Sequence, residues 1–176
     1  YANGHLFETT ENFSKDSECV IDKLYAGGKK ENNVGNTNII LRGNIRINHL
    51  YGGGFDSDVT GDTSILIDGT NVKVQILYGG GHAKNTESGK VYGNTNIQFR
   101  QGTNGRMFGG GCNEYSDVNS RIPATVTGTV NISVGYEDAP AHTAEFGTAT
   151  YAYGGSWHST VGNVKFQILD GAWSDR

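Results

Sequence analysis

Proline and cysteine are both scarce in this chain, two of each in 176 residues. So little proline excludes a collagen-like or polyproline architecture. Two cysteines cannot make a disulfide-dense scaffold, and Cys19 and Cys112 match no metal-binding spacing, so separate thiols are expected. No stretch approaches the ~20 apolar residues of a membrane-spanning helix, which argues against membrane insertion. A basic stripe is missing as well: the net charge is −4 with acids and bases interspersed, so nucleic acid is not an expected partner. Starting at Tyr1 rather than Met, with neither leader nor anchor in evidence, the chain is expected to be a piece of a longer polypeptide whose other domains are its neighbours.

Glycine is what the chain has in abundance, 27 residues against an apolar fraction of only 35%. That balance predicts many tight turns between short ordered strands. Much of the glycine sits in one phrase. LYGGG stands whole at 50–54 and 77–81, and altered as LYAGG at 24–28, MFGGG at 107–111 and AYGGS at 152–156. The aromatics at its head, Tyr25, Tyr51, Tyr78, Phe108 and Tyr153, are spaced by 26, 27, 30 and 45 residues. A near-constant period that lengthens toward one end marks stacked coils carrying loop insertions.

After each glycine corner comes a variable polar loop, then a valine, then a strand pattern. GNTNIIL at 35–41 aligns with GDTSILI at 61–67, GNTNIQF at 93–99, GTVNISV at 128–134 and GNVKFQI at 162–168. Every second residue is apolar or threonine, which predicts one buried and one wet face. The wet positions, Asn38, Ser64, Asn96, Asn131 and Lys165, then Ile40, Leu66, Gln98, Ser133 and Gln167, are mostly polar. A second strand is predicted in IRINHLY at 45–51 and VKVQILY at 72–78, shortened in the third coil to about 105–108, with a third short strand at the valine. The expected fold is all-β, a right-handed parallel β-helix of about five coils over residues 19–176, with residues 1–18 as a polar N-terminal cap.

Several groups of residues invite a chemical reading. The tyrosine ladder has the parity of Ile45 and Ile47, so it is expected to be a structural stack at the corner of the core, with the following glycines supplying left-handed backbone angles. DSDVTGD at 56–62 places Asp56, Asp58 and Asp62 as calcium ligands, although the acid that should close such a loop is replaced by Ile67. Calcium is the one cofactor suggested; a solvated turn is the plainer reading. The carboxylates do not pair on one strand face, and the five histidines show no triad or metal spacing, so each is expected at the surface or in a turn. The fourth coil swells at 113–124 and 135–150. Tyr115, Tyr136 and Trp157, interleaved with Asn113 and Arg121, form the candidate glycan cleft, unless these aromatics only cover the end of the core.

Coils of YGGG, polar loop and GNTNI resemble the glycine-rich repeats of large bacterial cell-surface and adhesin-type proteins, and the alternating strands are similar to those of pectate-lyase-like β-helices. The resemblance covers about residues 19–171 and matches no catalytic motif of the lyases. It implies a protein that is extracellular, secreted or attached to the cell wall, and that faces a polysaccharide or glycan. The expected function is non-catalytic carbohydrate binding or adhesion, a polysaccharide or host or plant glycan being recognised through aromatic and Asn or Gln side chains on a sheet face or in the cleft near Tyr115, Tyr136 and Trp157. The alternatives are a polysaccharide lyase or glycoside hydrolase, whose acids would meet only in space, and a passive stalk.

Overall fold

The structure, a computed structural model, describes residues 6–30, 35–84, 88–114, 124–135 and 149–169. It is an all-β parallel solenoid of about four turns, and no helix occurs among the described residues. The elements are β1 (Leu6–Glu8), β2 (Cys19–Tyr25), β3 (Thr37–Leu41), β4 (Ile45–Tyr51), β5 (Thr63–Tyr78), β6 (His82–Ala83), β7 (Thr95–Phe108), β8 (Cys112–Asn113), β9 (Val130–Val134), β10 (Ala149–Tyr153) and β11 (Val164–Ile168). Every pairing is parallel.

Two long walls and two narrow ones enclose the core. The first wall stacks β1, β3, the first part of β5, the first part of β7, β9 and β11. Its register, Thr37↔Thr63↔Thr95↔Val130↔Val164 and Ile39↔Ile65↔Ile97↔Ile132↔Phe166, is the one the sequence alternation predicts. The second wall stacks β2, β4, the later parts of β5 and β7, and β10. In the third coil this wall is not shortened, since β7 runs unbroken around the corner. The valines form a third wall of single bridges, Val59↔Val91↔Val126↔Val161. A fourth follows the glycines: Lys29↔Phe55↔His82↔Cys112↔Trp157.

Inside lies one aliphatic core, with Ile39, Ile65, Ile97 and Ile132 facing Ile47, Leu50, Val74 and Leu77. The threonines Thr37, Thr63 and Thr95 also point inward, where a hydroxyl costs stability unless it is bonded. Each donates to a carbonyl of the glycine corner, Gly52, Gly79 and Gly109, at 2.6, 2.6 and 2.7 Å. The strand pattern and the glycine phrase are thus two halves of one contact within each coil.

The corner glycines are required for a reason the sequence reading missed. None has a left-handed backbone; among the described glycines that geometry belongs to Gly35, Gly43, Gly102 and Gly135. Instead the corners stack backbone on backbone, with the Gly53 N–H donating to the Gly80 carbonyl at 3.0 Å and the Gly80 N–H to the Gly110 carbonyl at 3.1 Å. A Cβ on Gly53 would lie 2.7 Å from Cα of Gly81, and one on Gly80 2.8 Å from N of Gly111. Close approach therefore excludes any side chain.

At the start of the solenoid, β1 adds a rung to the first wall, Phe7 against Ile39, and both Phe7 and Phe13 pack on the core. Gly43 receives this segment: its φ is +75°, and a Cβ there would meet the carbonyl oxygens of Thr10 and Phe13 at 2.6 and 2.7 Å. Cys19 falls beside Ile45 as the alignment predicts, and Cys19 and Cys112 are separate thiols. At the opposite end, Val164, Phe166 and Ile168 of β11 remain exposed.

Candidate binding surfaces

The outer side of the first wall carries a polar groove of about 230 Å³. Strand alternation builds it, because the residues between the buried ones point to solvent on every rung. One column is Asn96, Asn131 and Lys165, and the next is Gln98, Ser133 and Gln167; Arg100, Gly135 and Leu169 also line it, with Ile97 and Ile132 between the columns. Asn131 Nδ2 donates to Asn96 Oδ1 at 2.9 Å, and Asn96 Nδ2 to the Thr63 carbonyl at 3.3 Å. Side-chain amides fixed rung by rung, about 4.8 Å apart, present donors and acceptors in a line. Sequence reasoning identified these positions as the wet face and a sheet face with Asn and Gln side chains as one place where a glycan could dock, without naming these residues as the site. The signal was the recurrence of Asn, Ser and Gln where a merely solvated face tolerates any polar residue.

Of the cleft expected in the fourth coil, Tyr115, Tyr136 and Arg121 lie outside the described residues. Asn113 is fully buried, so its side chain is not part of an open surface. Trp157 is 42% exposed and lies edge-on to Phe108, with ring centroids 5.6 Å apart. Its carbonyl accepts the Asn113 N–H at 3.0 Å, which places the residue after the last glycine corner beside Asn113, where the first insertion begins. Tyr151 and Tyr153, 53% and 47% exposed, lie with ring centroids 6.4 Å apart on the last coil, and Tyr153, like Trp157, packs on Phe108.

Asp56, Asp58 and Asp62 serve the stacking of coils. Asp56 Oδ1 accepts the Lys84 N–H at 2.7 Å. Asp58 Oδ1 accepts the Lys90 N–H at 2.9 Å and the Ser88 hydroxyl, and its Oδ2 accepts the Tyr92 hydroxyl at 3.3 Å. Asp62 is one step of a side-chain ladder in which Asn36, Asp62 and Asn94 accept the N–H of Asp62, Asn94 and Thr129 at 2.9, 2.7 and 2.8 Å. Among the described residues no three His, Cys, Asp or Glu converge on a point that suits a metal. The alternate spacing that suggests a calcium loop here positions hydrogen-bond acceptors for the next coil.

The aromatic ladder is structural, but it is not part of the main core. Tyr25, Tyr51, Tyr78 and Phe108 are buried and stack with centroids 4.6, 4.9 and 5.1 Å apart, and Tyr153 closes the series at 4.9 Å from Phe108. With Cys112, and Phe55 packed against them, they form a second, smaller core outside the second wall. The alternation slips by one between Ile47 and Leu50: Ile45, Ile47 and Leu50 belong to the aliphatic core and Tyr51 does not. No pairing occurs at Asn48, although the register is kept on both sides of it.

His82 belongs to this second core, contrary to the expectation of a surface or turn histidine. It is fully buried and stacks 5.0 Å from Tyr51, and its Nδ1 lies 3.0 Å from the Tyr25 hydroxyl. Its Nε2 is 2.9 Å from Glu114 Oε1 though not aligned as a hydrogen bond, and Lys84 Nζ lies 3.3 Å from the other carboxylate oxygen. Burial holds the His82 pKa below the ordinary histidine value, with Glu114 opposing the shift. For Glu114 burial acts upward, but His82 and Lys84 prevail and lower it. Burial also raises the Tyr51 and Tyr78 hydroxyls and pushes the Cys112 thiol up to about 11. His82, Tyr51, Tyr78 and Cys112 are held neutral inside a packed stack, which makes them supports rather than reagents, while the part-exposed Glu114 stays ionised.

Compared with protein-family models, with curated proteins and with solved structures, the chain finds no match in any of the three.

Proposed function

We propose that this domain is a non-catalytic carbohydrate-binding or adhesin module of an extracellular, secreted or wall-attached protein, and that it docks a polysaccharide along the outer side of the first wall. The observation that carries the reading is the polar groove with its aligned columns of Asn, Ser and Gln, closed at its edges by Arg100 and Lys165. An extended glycan offers hydroxyls at regular intervals, and a row of amides held at the rung spacing suits it. Tyr151, Tyr153 and Trp157, partly exposed on the last coil, add rings against which a sugar face can lie. The likeness of the repeats to bacterial surface proteins belongs to the same reading.

The test is affinity electrophoresis of the purified domain through gels containing plant, microbial or mucin polysaccharides, with reducing ends and unsaturated products assayed in parallel. Retardation that is lost in Asn131→Ala with Gln98→Ala supports the assignment. Release of products overturns the non-catalytic reading. Absence of retardation on every glycan replaces it with a stalk or a protein-binding adhesin.

A further inference from the structure

The second wall carries its own groove, about 340 Å³, lined by Arg46, Asn48, Lys73, Val74, Gln75, Thr103 and Gly105. Arg46 and Lys73 are direct neighbours across two coils, and both are half exposed. One carboxylate is shared between them: Glu18 Oε2 lies 2.7 Å from Arg46, and its Oε1 lies 2.8 Å from Lys73. Two cations on one carboxylate leave a unit of positive charge unmatched at the groove. The rows alongside add Lys23 and Arg106 against Asp22, whose Oδ1 is occupied by Asn48 Nδ2 at 3.0 Å. This face is therefore positive on a chain whose net charge is −4. The third coil opens the groove, because Thr103 and Gly105 stand where the coils below have Lys73 and Gln75. Gly105 is required by the Gln75 carbonyl, 2.6 Å from where a Cβ would lie, and the space it leaves is lined by the amides of Asn48 and Gln75.

We propose that this groove binds an acidic polysaccharide through its carboxylates, with Arg46 and Lys73 as the anion-binding pair and Glu18 as an internal carboxylate that occupies the pair in the free protein. Glu18 displays the geometry the ligand adopts: one carboxylate bridging a guanidinium and an ammonium, in a groove whose remaining groups are amides suited to sugar hydroxyls. A nucleic acid fits less well, since the positive groups sit as a compact cluster rather than a track, and no exposed ring lines the groove for base stacking. The inference is independent of the groove on the first wall and uses none of its residues.

The experiment measures retention of the full domain on alginate, with neutral dextran and single-stranded DNA as comparisons at equal salt. Arg46→Gln with Lys73→Gln is expected to weaken alginate binding about tenfold or more, the effect of losing a charge-assisted contact. Glu18→Gln is expected to tighten alginate binding severalfold, because it frees both cations, and added salt should erase the gain. A purely structural ion pair would give the opposite signature, a small loss of thermal stability in Glu18→Gln and no tighter binding. Unchanged or weaker alginate binding in Glu18→Gln, wild-type binding in the double variant, or equal retention on single-stranded DNA would each overturn the proposal. Asn131→Ala serves as the control that separates the two walls: it should leave alginate retention intact whether or not the first wall binds a neutral glycan.

Discussion

The solenoid has two cores, and they are built by opposite means. The inner one is aliphatic, closed by Ile, Val and Leu on every rung, and its inward threonines are tied to glycine carbonyls. The outer one is a stack of rings with polar tips, and its central member is a histidine. One strand feeds both, because the alternation slips after Ile47 so that Leu50 turns inward and Tyr51 outward. The inner core depends on area and shape, and its stability should be indifferent to pH. The outer core depends on hydrogen bonds and protonation, so it should respond to both.

That contrast can be broken from either side. The largest effect is expected in the inner core: Ile65→Ala should cost about 2–5 kcal/mol in urea unfolding, as for other buried large-to-small changes, with the same cost at pH 7.5 and pH 5.5. Thr63→Val keeps the volume but leaves the Gly79 carbonyl without its 2.6 Å partner, and about 1–3 kcal/mol should be lost. The fourth coil, which has Val130 in this position, should tolerate Val130→Thr better than the third tolerates Thr95→Val. In the outer core Tyr25→Phe removes the hydroxyl 3.0 Å from His82 Nδ1 and should cost about 1 kcal/mol.

The smallest effect is the most diagnostic, and it concerns pH. The native fold holds His82 below its ordinary value of 6.5, so both states are neutral there at higher pH. As pH falls through 6.5 the unfolded chain takes a proton that the native state resists, and stability must decline. Glu114, lowered from 4.5 in the native state, adds a second loss of the same sign further down. His82→Phe should abolish the first decline while leaving the second wall's binding unchanged. Equal pH slopes in wild type and variant would show that another group titrates.

Much of this organisation was legible in the sequence, because a repeat states its own register. The triplets Thr37-Ile39-Leu41 and Thr63-Ile65-Ile67, the valine bridges and the place of Cys19 beside Ile45 all follow from aligning one coil on the next. The outer core did not follow, since parity was extrapolated from Ile47 straight to Tyr51. The adjacent apolar pairs Leu24-Tyr25, Leu50-Tyr51, Leu77-Tyr78 and Met107-Phe108 held the correction, for two successive buried residues cannot lie on one face of a strand. His82 was obscured for the same reason: its burial depends on rings from other coils. The aspartates stayed ambiguous between a calcium loop and a plain turn because spacing alone does not tell a metal ligand from an acceptor of the next coil's N–H. The groove on the first wall was visible as a wet face, but its concavity arises only from the stacking.

The central claim is that the outward polar residues bind and the two cores only build the scaffold that aligns them. The most direct measurement compares polysaccharide retardation of Asn131→Ala with Gln98→Ala against that of Tyr25→Phe, well below the unfolding temperature of each. The account predicts that the outer-face variant loses retardation while its melting temperature is kept, and that Tyr25→Phe melts earlier but binds as wild type. Loss of binding in Tyr25→Phe with full binding in the outer-face variant would contradict it.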